Sequence, residues 1–169
     1  MKPRHLILAV PRNLVMGALY PTERALLKRD DAVAPPPVFV VGPPRSGTTL
    51  IYEALVGTFR FAYISNLAHR LYRTPVAATR LGLSMIDRYE PTYESTWGHI
   101  SGWGAPNEGG WVWDRWFLEH DVSESAEPSP HSTDTMRKTV QALSRLMRGP
   151  FITKNVNHSV WVSYLSRAF

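Results

Sequence analysis

Hydrophobic residues recur along this chain with two different periods, and the switching between them predicts its elements. Val38-Phe39-Val40-Val41 is a short β-branched and aromatic run closed by Gly42, the pattern of a buried strand. Leu50, Ile51, Ala54 and Leu55 then repeat at helical spacing, which predicts a helix over 47–57 with those four on its inward face and a stop near Gly57. Residues 61–65, FAYIS, predict a second strand, and 66–88 a helical stretch interrupted at Pro75. Residues 91–110 hold five glycines, two prolines and two tryptophans and predict irregular chain. Trp113, Trp116 and Phe117 stand at i, i+3 and i+4 and predict a helix over 111–120. A polar surface loop over 123–135 follows. The clearest period lies in 134–148, where Met136, Val140, Leu143 and Met147 form one stripe, Asp134 or Thr133 supplies the cap, and Gly149-Pro150 ends the helix. Residues 151–155, FITKN, read as a third strand and 159–169 as a closing helix.

Upstream, residues 1–30 read as two helical pieces split at Pro21. The proline-rich segment 31–37 is a stiff, extended lead-in to the first strand. Strands separated by helices predict an α/β fold, a P-loop-type parallel sheet flanked by helices. The expected division is an N-terminal helical extension, 1–35, and an α/β domain, 36–169.

Between the first strand and its helix the chain reads Gly42-Pro43-Pro44-Arg45-Ser46-Gly47-Thr48-Thr49. A strand feeding a glycine-containing turn that opens a helix presents backbone N–H groups and the helix dipole to an anion. The glycine spacing matches the nucleotide-binding pattern GxxxxGK followed by Ser or Thr, but Thr48 occupies the lysine position. An NTPase needs that lysine on the β- and γ-phosphates. Its loss argues against ATP or GTP hydrolysis and leaves a loop suited to a single phosphate, with Arg45 beside it. A plain strand-to-helix connection is the bland alternative; the strand, both threonines and Arg45 together favour the anion.

Composition narrows the classes. With 169 residues, one compact domain with a real core is expected. There is no cysteine, so disulfides, thiolate metal sites and a cysteine nucleophile are excluded, and the six histidines show no close metal-ligand spacing. The formal net charge is +5, but Lys and Arg form no dense run, so no nucleic-acid partner is expected. A cleft for a small, highly anionic ligand and an ordinary basic surface both account for the surplus. The apolar runs LILAV and LVMGALY are broken by Pro11-Arg12-Asn13, which argues against a spanning helix or a secretory signal. A cytoplasmic protein is expected, with the N-terminal segment as a candidate peripheral membrane contact.

The run PPRSGTTL closely resembles the 5′-phosphosulfate loop of the sulfotransferase family, which reads Pro, Lys or Arg, then Ser-Gly-Thr-Thr after a hydrophobic strand. Two later stretches, YESTWGHISGWGAPNEGGWVWDRWF and GPFITKNVNHSVWVSYLSRAF, resemble segments of bacterial family members in the right order, so the resemblance spans about 36–169. It implies 3′-phosphoadenosine 5′-phosphosulfate (PAPS) as co-substrate and no metal. Ser46, Gly47, Thr48 and Thr49 would bind the 5′-phosphate, and Arg45 would face the bridging oxygen, where a fixed cation stabilises leaving-group charge. A P-loop kinase-like protein and a non-catalytic nucleotide-binding module are the competing expectations.

Further candidates come from position. Lys154 ends a predicted strand, at the sheet edge where ligands of parallel sheets bind, and could stabilise the group in transfer; a surface lysine is the alternative. Asn155 would support it. The acceptor hydroxyl needs a base. Some family members place a glutamate shortly after the second strand, where this chain has Asn66. Glu108 is the first substitute, equally readable as a helix-capping carboxylate, with His99 and His69 next. Most of the six tryptophans suit core packing. Trp97 and Trp103, in the irregular segment, could line a pocket for a lipid, sterol, aromatic or glycolipid alcohol. The family's 3′-phosphate-binding segment would lie beyond Phe169, so the expectation is a partial sulfotransferase with little activity by itself.

Overall fold

The computed structural model describes residues 11–28, 34–96, 98–117 and 127–169. Arg12–Leu27 forms α1, Val38–Val40 β1, Thr48–Thr58 α2, Asn66–Arg70 α3, Pro75–Ile86 α4, Gly110–Phe117 α5, Pro130–Met147 α6 and Ile152–Lys154 β2. A 3₁₀ turn at Val156–Val160 then leads into α7, Val162–Ala168. β1 and β2 pair in parallel, with Val38 opposite Ile152, Phe39 opposite Thr153 and Val40 opposite Lys154. On one side of the second strand, Val38 N donates to Phe151 O; on the other, Ile152 N donates to Ala62 O. β2 is therefore central. The described residues form an α/β arrangement of seven helices around a small parallel sheet.

The segment 61–65 is less of a strand than its residues predict. Ala62 makes one parallel bridge to Phe151. Beyond it the backbone turns to the irregular loop instead: Asn107 N donates to Ile64 O and Asn66 N to Ala105 O, 2.8 and 2.9 Å. The α2 face also differs from expectation. Leu50 and Ile51 are exposed, whereas Tyr52 and Glu53 are buried. The helix is turned so that Glu53 can accept hydrogen bonds from Tyr89 Oη, Thr92 N and Tyr93 N at 2.6, 3.0 and 3.2 Å.

α1 runs unbroken through Pro21. The missing N–H forfeits one bond, to residue 17, while Met16, Glu23 and Leu26 are buried on either side of the proline. α6 starts earlier than Asp134: Pro130 takes the first helical position and Ser129 Oγ accepts from Ser132 N at 3.1 Å. Its predicted stripe, Met136, Val140, Leu143 and Met147, is buried as expected. The expected loop at 123–135 is helical from Pro130 onward, and its part over 123–126 lies outside the described residues.

Two buried polar side chains fasten this core. Glu23, on α1, receives Ala77 N at 2.7 Å and Val76 N at 3.3 Å, capping α4, whose own cap residue Thr74 makes no side-chain cap bond. Burial raises its pKa, while these bonds and Arg115 pull the other way. His158 is 1% exposed, with neither ring nitrogen hydrogen-bonded to a described residue. Its ring stands edge-on to Trp113 (4.6 Å) and Phe39 (5.4 Å), and burial pushes its pKa down to about 4.

Glu23→Ala should destabilise the protein by about 1–3 kcal/mol in urea unfolding, because two buried amides lose their acceptor. A loss below about 0.5 kcal/mol would show that this cap does not hold α1 to α4. His158 makes stability depend on pH. Its folded pKa lies below the unfolded value of about 6.5, so the unfolded chain takes the proton first as pH falls. Stability should therefore be lost progressively between about pH 6.5 and 4, by roughly 3 kcal/mol, and His158→Phe should flatten that slope. An unchanged slope in pH-dependent denaturation of the variant would refute it.

Candidate functional site

The site is built on the carboxyl ends of the two strands. Because Val40 lies opposite Lys154, the turn after β1 and the last residue of β2 reach the same sheet edge. The turn closes on itself through Ser46 Oγ, which donates to Pro43 O at 2.7 Å. Gly42 is required by packing: a Cβ there would lie 2.8 Å from Thr48 Cγ2. Arg45 and Gly47 have φ of 64° and 81°. Left-handed residues set between ordinary ones turn successive N–H groups to one side and form an anion-binding nest. For Arg45 that conformation costs about 1–2 kcal/mol, strain of the kind found at functional sites. Residues 43–47 are exposed, and α2 opens at Thr48 with no side-chain cap bond to its first-turn N–H groups.

Across from this turn, Lys154 forms an ion pair with Glu108, their side chains 6% and 32% exposed. Gly98 lies against both. A Cβ at Gly98 would stand 3.0 Å from Glu108 Oε1, 3.6 Å from Thr49 Oγ1 and 4.0 Å from Lys154 Nζ. Its φ of +80° adds a conformational reason for glycine. The end of the phosphate-type loop, the strand-end lysine and the loop glutamate, read separately along the sequence, thus meet at one point.

Glu108 is held by a lattice of amides. Asn107 Nδ2 donates to Asn66 Oδ1 at 2.6 Å, and Asn107 Oδ1 accepts from Gly109 N at 2.8 Å. Asn66 Nδ2 donates in turn to Ile100 O and Gly102 O, 2.7 and 2.6 Å away. Asn66 is therefore a clip that shapes the irregular segment. The Glu53 clasp on Tyr89, Thr92 and Tyr93 holds the root of the same segment.

Of the remaining candidates, Asn155 is buried and caps the 3₁₀ turn through Oδ1, which accepts from Asn157 N at 2.9 Å. His69 and His99 line a neighbouring cleft together with Trp103. Trp97 lies outside the described residues. Sequence reasoning missed Gly98 and Glu53. A lone carboxylate on the apolar helix sequence TTLIYEALVGT was the available signal for the second; nothing local singled out Gly98 among its neighbouring glycines.

Comparison with protein-family models, with curated proteins and with solved structures finds no match for this chain. Among the described residues, no group of three or more His, Cys, Asp or Glu is arranged to hold a metal ion, and no helix is long and apolar enough to cross a membrane.

The unequal burial of the ion pair makes its two halves unequal under substitution. Glu108→Ala leaves a buried ammonium without its partner and should cost about 3 kcal/mol in denaturant unfolding. Lys154→Met removes the buried charge and leaves a carboxylate that water can reach, so it should cost clearly less. Equal losses, or the reverse order, would contradict the pairing described.

Proposed function

We propose that this chain is a sulfotransferase that moves a sulfuryl group from PAPS to a hydroxyl or amine acceptor. The observation that carries the reading is the meeting of Thr49, Lys154 and Glu108 around Gly98, beside an exposed turn whose Arg45 and Gly47 are left-handed. The turn fits a phosphate: residues 43–47 are exposed, and nothing lies within 4 Å of the space a Cβ would fill at Gly47. Bound PAPS would supply the sulfuryl group and depart as adenosine 3′,5′-bisphosphate.

Each residue then has a physical task. The N–H groups of Ser46–Thr49 and the hydroxyls of Thr48 and Thr49 hold the 5′-phosphate. Arg45 stabilises the charge that grows on the bridging oxygen, an effect worth about 10²–10³ in rate for a fixed donor. Lys154 moves from Glu108 to a sulfuryl oxygen, which frees the Glu108 carboxylate to take the acceptor's proton, a step worth about 10²–10⁴. The lysine thus neutralises the base at rest and leaves it when substrate arrives. The absence of lysine at position 48 favours this chemistry over NTP hydrolysis.

Calorimetric titration with adenosine 3′,5′-bisphosphate and with ATP, each with and without Mg²⁺, tests the reading. Metal-independent preference for the bisphosphate is expected. Mg²⁺-dependent ATP binding would replace it with a kinase-like reading, and no binding of either with a non-catalytic module. Arg45→Ala should lower sulfuryl transfer from PAPS by about 10²-fold or more; near-normal turnover would remove Arg45 from the mechanism.

A further inference from the structure

A cleft of about 390 Å³ opens beside the Gly98 meeting point, within the size range of small-molecule sites. Two chain segments join it to that point. Gly98 touches the Lys154–Glu108 pair and His99 lines the cleft; Glu108 belongs to the pair and Asn107 lines the cleft. Trp103 and Trp111 present indoles that are 56% and 44% exposed. The His69 ring stacks on Trp111, with centroids 4.6 Å apart and planes 19° from parallel, and the Arg12 guanidinium lies over the same indole at 5.1 Å, so Trp103 is the indole left open to a ligand.

What the cleft lacks is as informative as what it has. Asn66, Arg70 and Gly102 complete the lining with the residues already named, and no aliphatic side chain is among them. A sterol or acyl chain would find no apolar wall beyond the two indoles. A simple phenol would stack there but offer one hydroxyl to a cleft edged by a guanidinium and two imidazoles. The amides of Asn66 and Asn107 already bond one another and the backbone, so they give rigidity, and ligand hydrogen bonding falls to Arg70, His69 and His99. His69 Nδ1 is buried with no partner among the described residues.

We propose that this cleft binds a pyranose sugar, stacked on Trp103 and hydrogen-bonded through its ring hydroxyls to Arg70, His69 and His99. A pyranose has an apolar C–H face, suited to an indole, and hydroxyls around its edge that both donate and accept. Burial, with His99 and Arg12 adding to it, lowers the His69 pKa, which favours the neutral ring that can donate and accept in the same way. The sugar hydroxyl nearest Glu108 would be the one modified; that last step alone rests on the sulfotransferase reading.

Saturation-transfer NMR and tryptophan fluorescence test the proposal, using methyl glucopyranoside, galactopyranoside and mannopyranoside, and maltose, each with and without adenosine 3′,5′-bisphosphate. 2-Naphthol and cholesterol in micelles serve as the rival ligands. At least one saccharide should bind, Trp103→Ala should weaken it roughly tenfold, and Trp103→Phe should restore part of the loss. Trp103 is exposed, so neither variant threatens folding. Failure of every saccharide in both nucleotide states would overturn the proposal, as would Trp103-dependent binding of 2-naphthol or cholesterol instead. Bisphosphate binding is read in the same samples: saccharide binding without it sinks only the sulfotransferase reading, and bisphosphate binding without any saccharide sinks only the sugar cleft.

Discussion

Parallel strands end together, and that constraint organises this protein. An antiparallel pair would send the turn after β1 and the residue Lys154 to opposite ends of the sheet. In the observed register Val40 sits opposite Lys154, so a cation delivered by one strand stands near the turn delivered by the other. Aromatic packing around β1 fixes this edge. Phe39 on β1 and Phe151 before β2 both contact Trp113 of α5, with centroids 6.1 and 6.4 Å apart. The core thereby positions the site without supplying any of its chemistry.

The third contribution, Glu108, comes from a segment with no regular structure, and such a segment needs polar anchors to hold one shape. Here they are side chains rather than a hydrogen-bonded ladder. Glu53 gathers three donors at the root of the segment, and Asn66 with Asn107 closes its far end. Buried and half-buried groups of this kind are costly when left unmet, so each anchor favours one loop conformation over many. The same anchors shape the aromatic cleft, which is why Glu108 and that cleft share adjacent residues.

The Lys154–Glu108 pair is an electrostatic compromise. A nearly buried ammonium requires a counter-charge, and Glu108 provides it from a position water can still reach. The pair therefore stays partly open to water, whereas the Glu23 cap, at 3% exposure and bonded to backbone amides, is closed off from it.

The turn after β1 was legible in the linear chain because it is local. The strand, Gly42, Arg45-Ser46-Gly47-Thr48-Thr49 and the helix after them are consecutive, so steric rules alone predict an anion-binding turn. The α6 stripe was legible for the same reason, through its period. Other features depended on partners far away in sequence. The strand expected at 61–65 was reduced to a bridge because the loop at 105–107 captured its backbone groups, and the inward face of α2 was set by Glu53 meeting residues near position 90. Lys154, Glu108 and Asn66 were visible as residue types, but their grouping was not. Only chain folding decides which side chains 40 or more positions apart share a few ångströms, since that depends on strand register and loop closure rather than on any local preference.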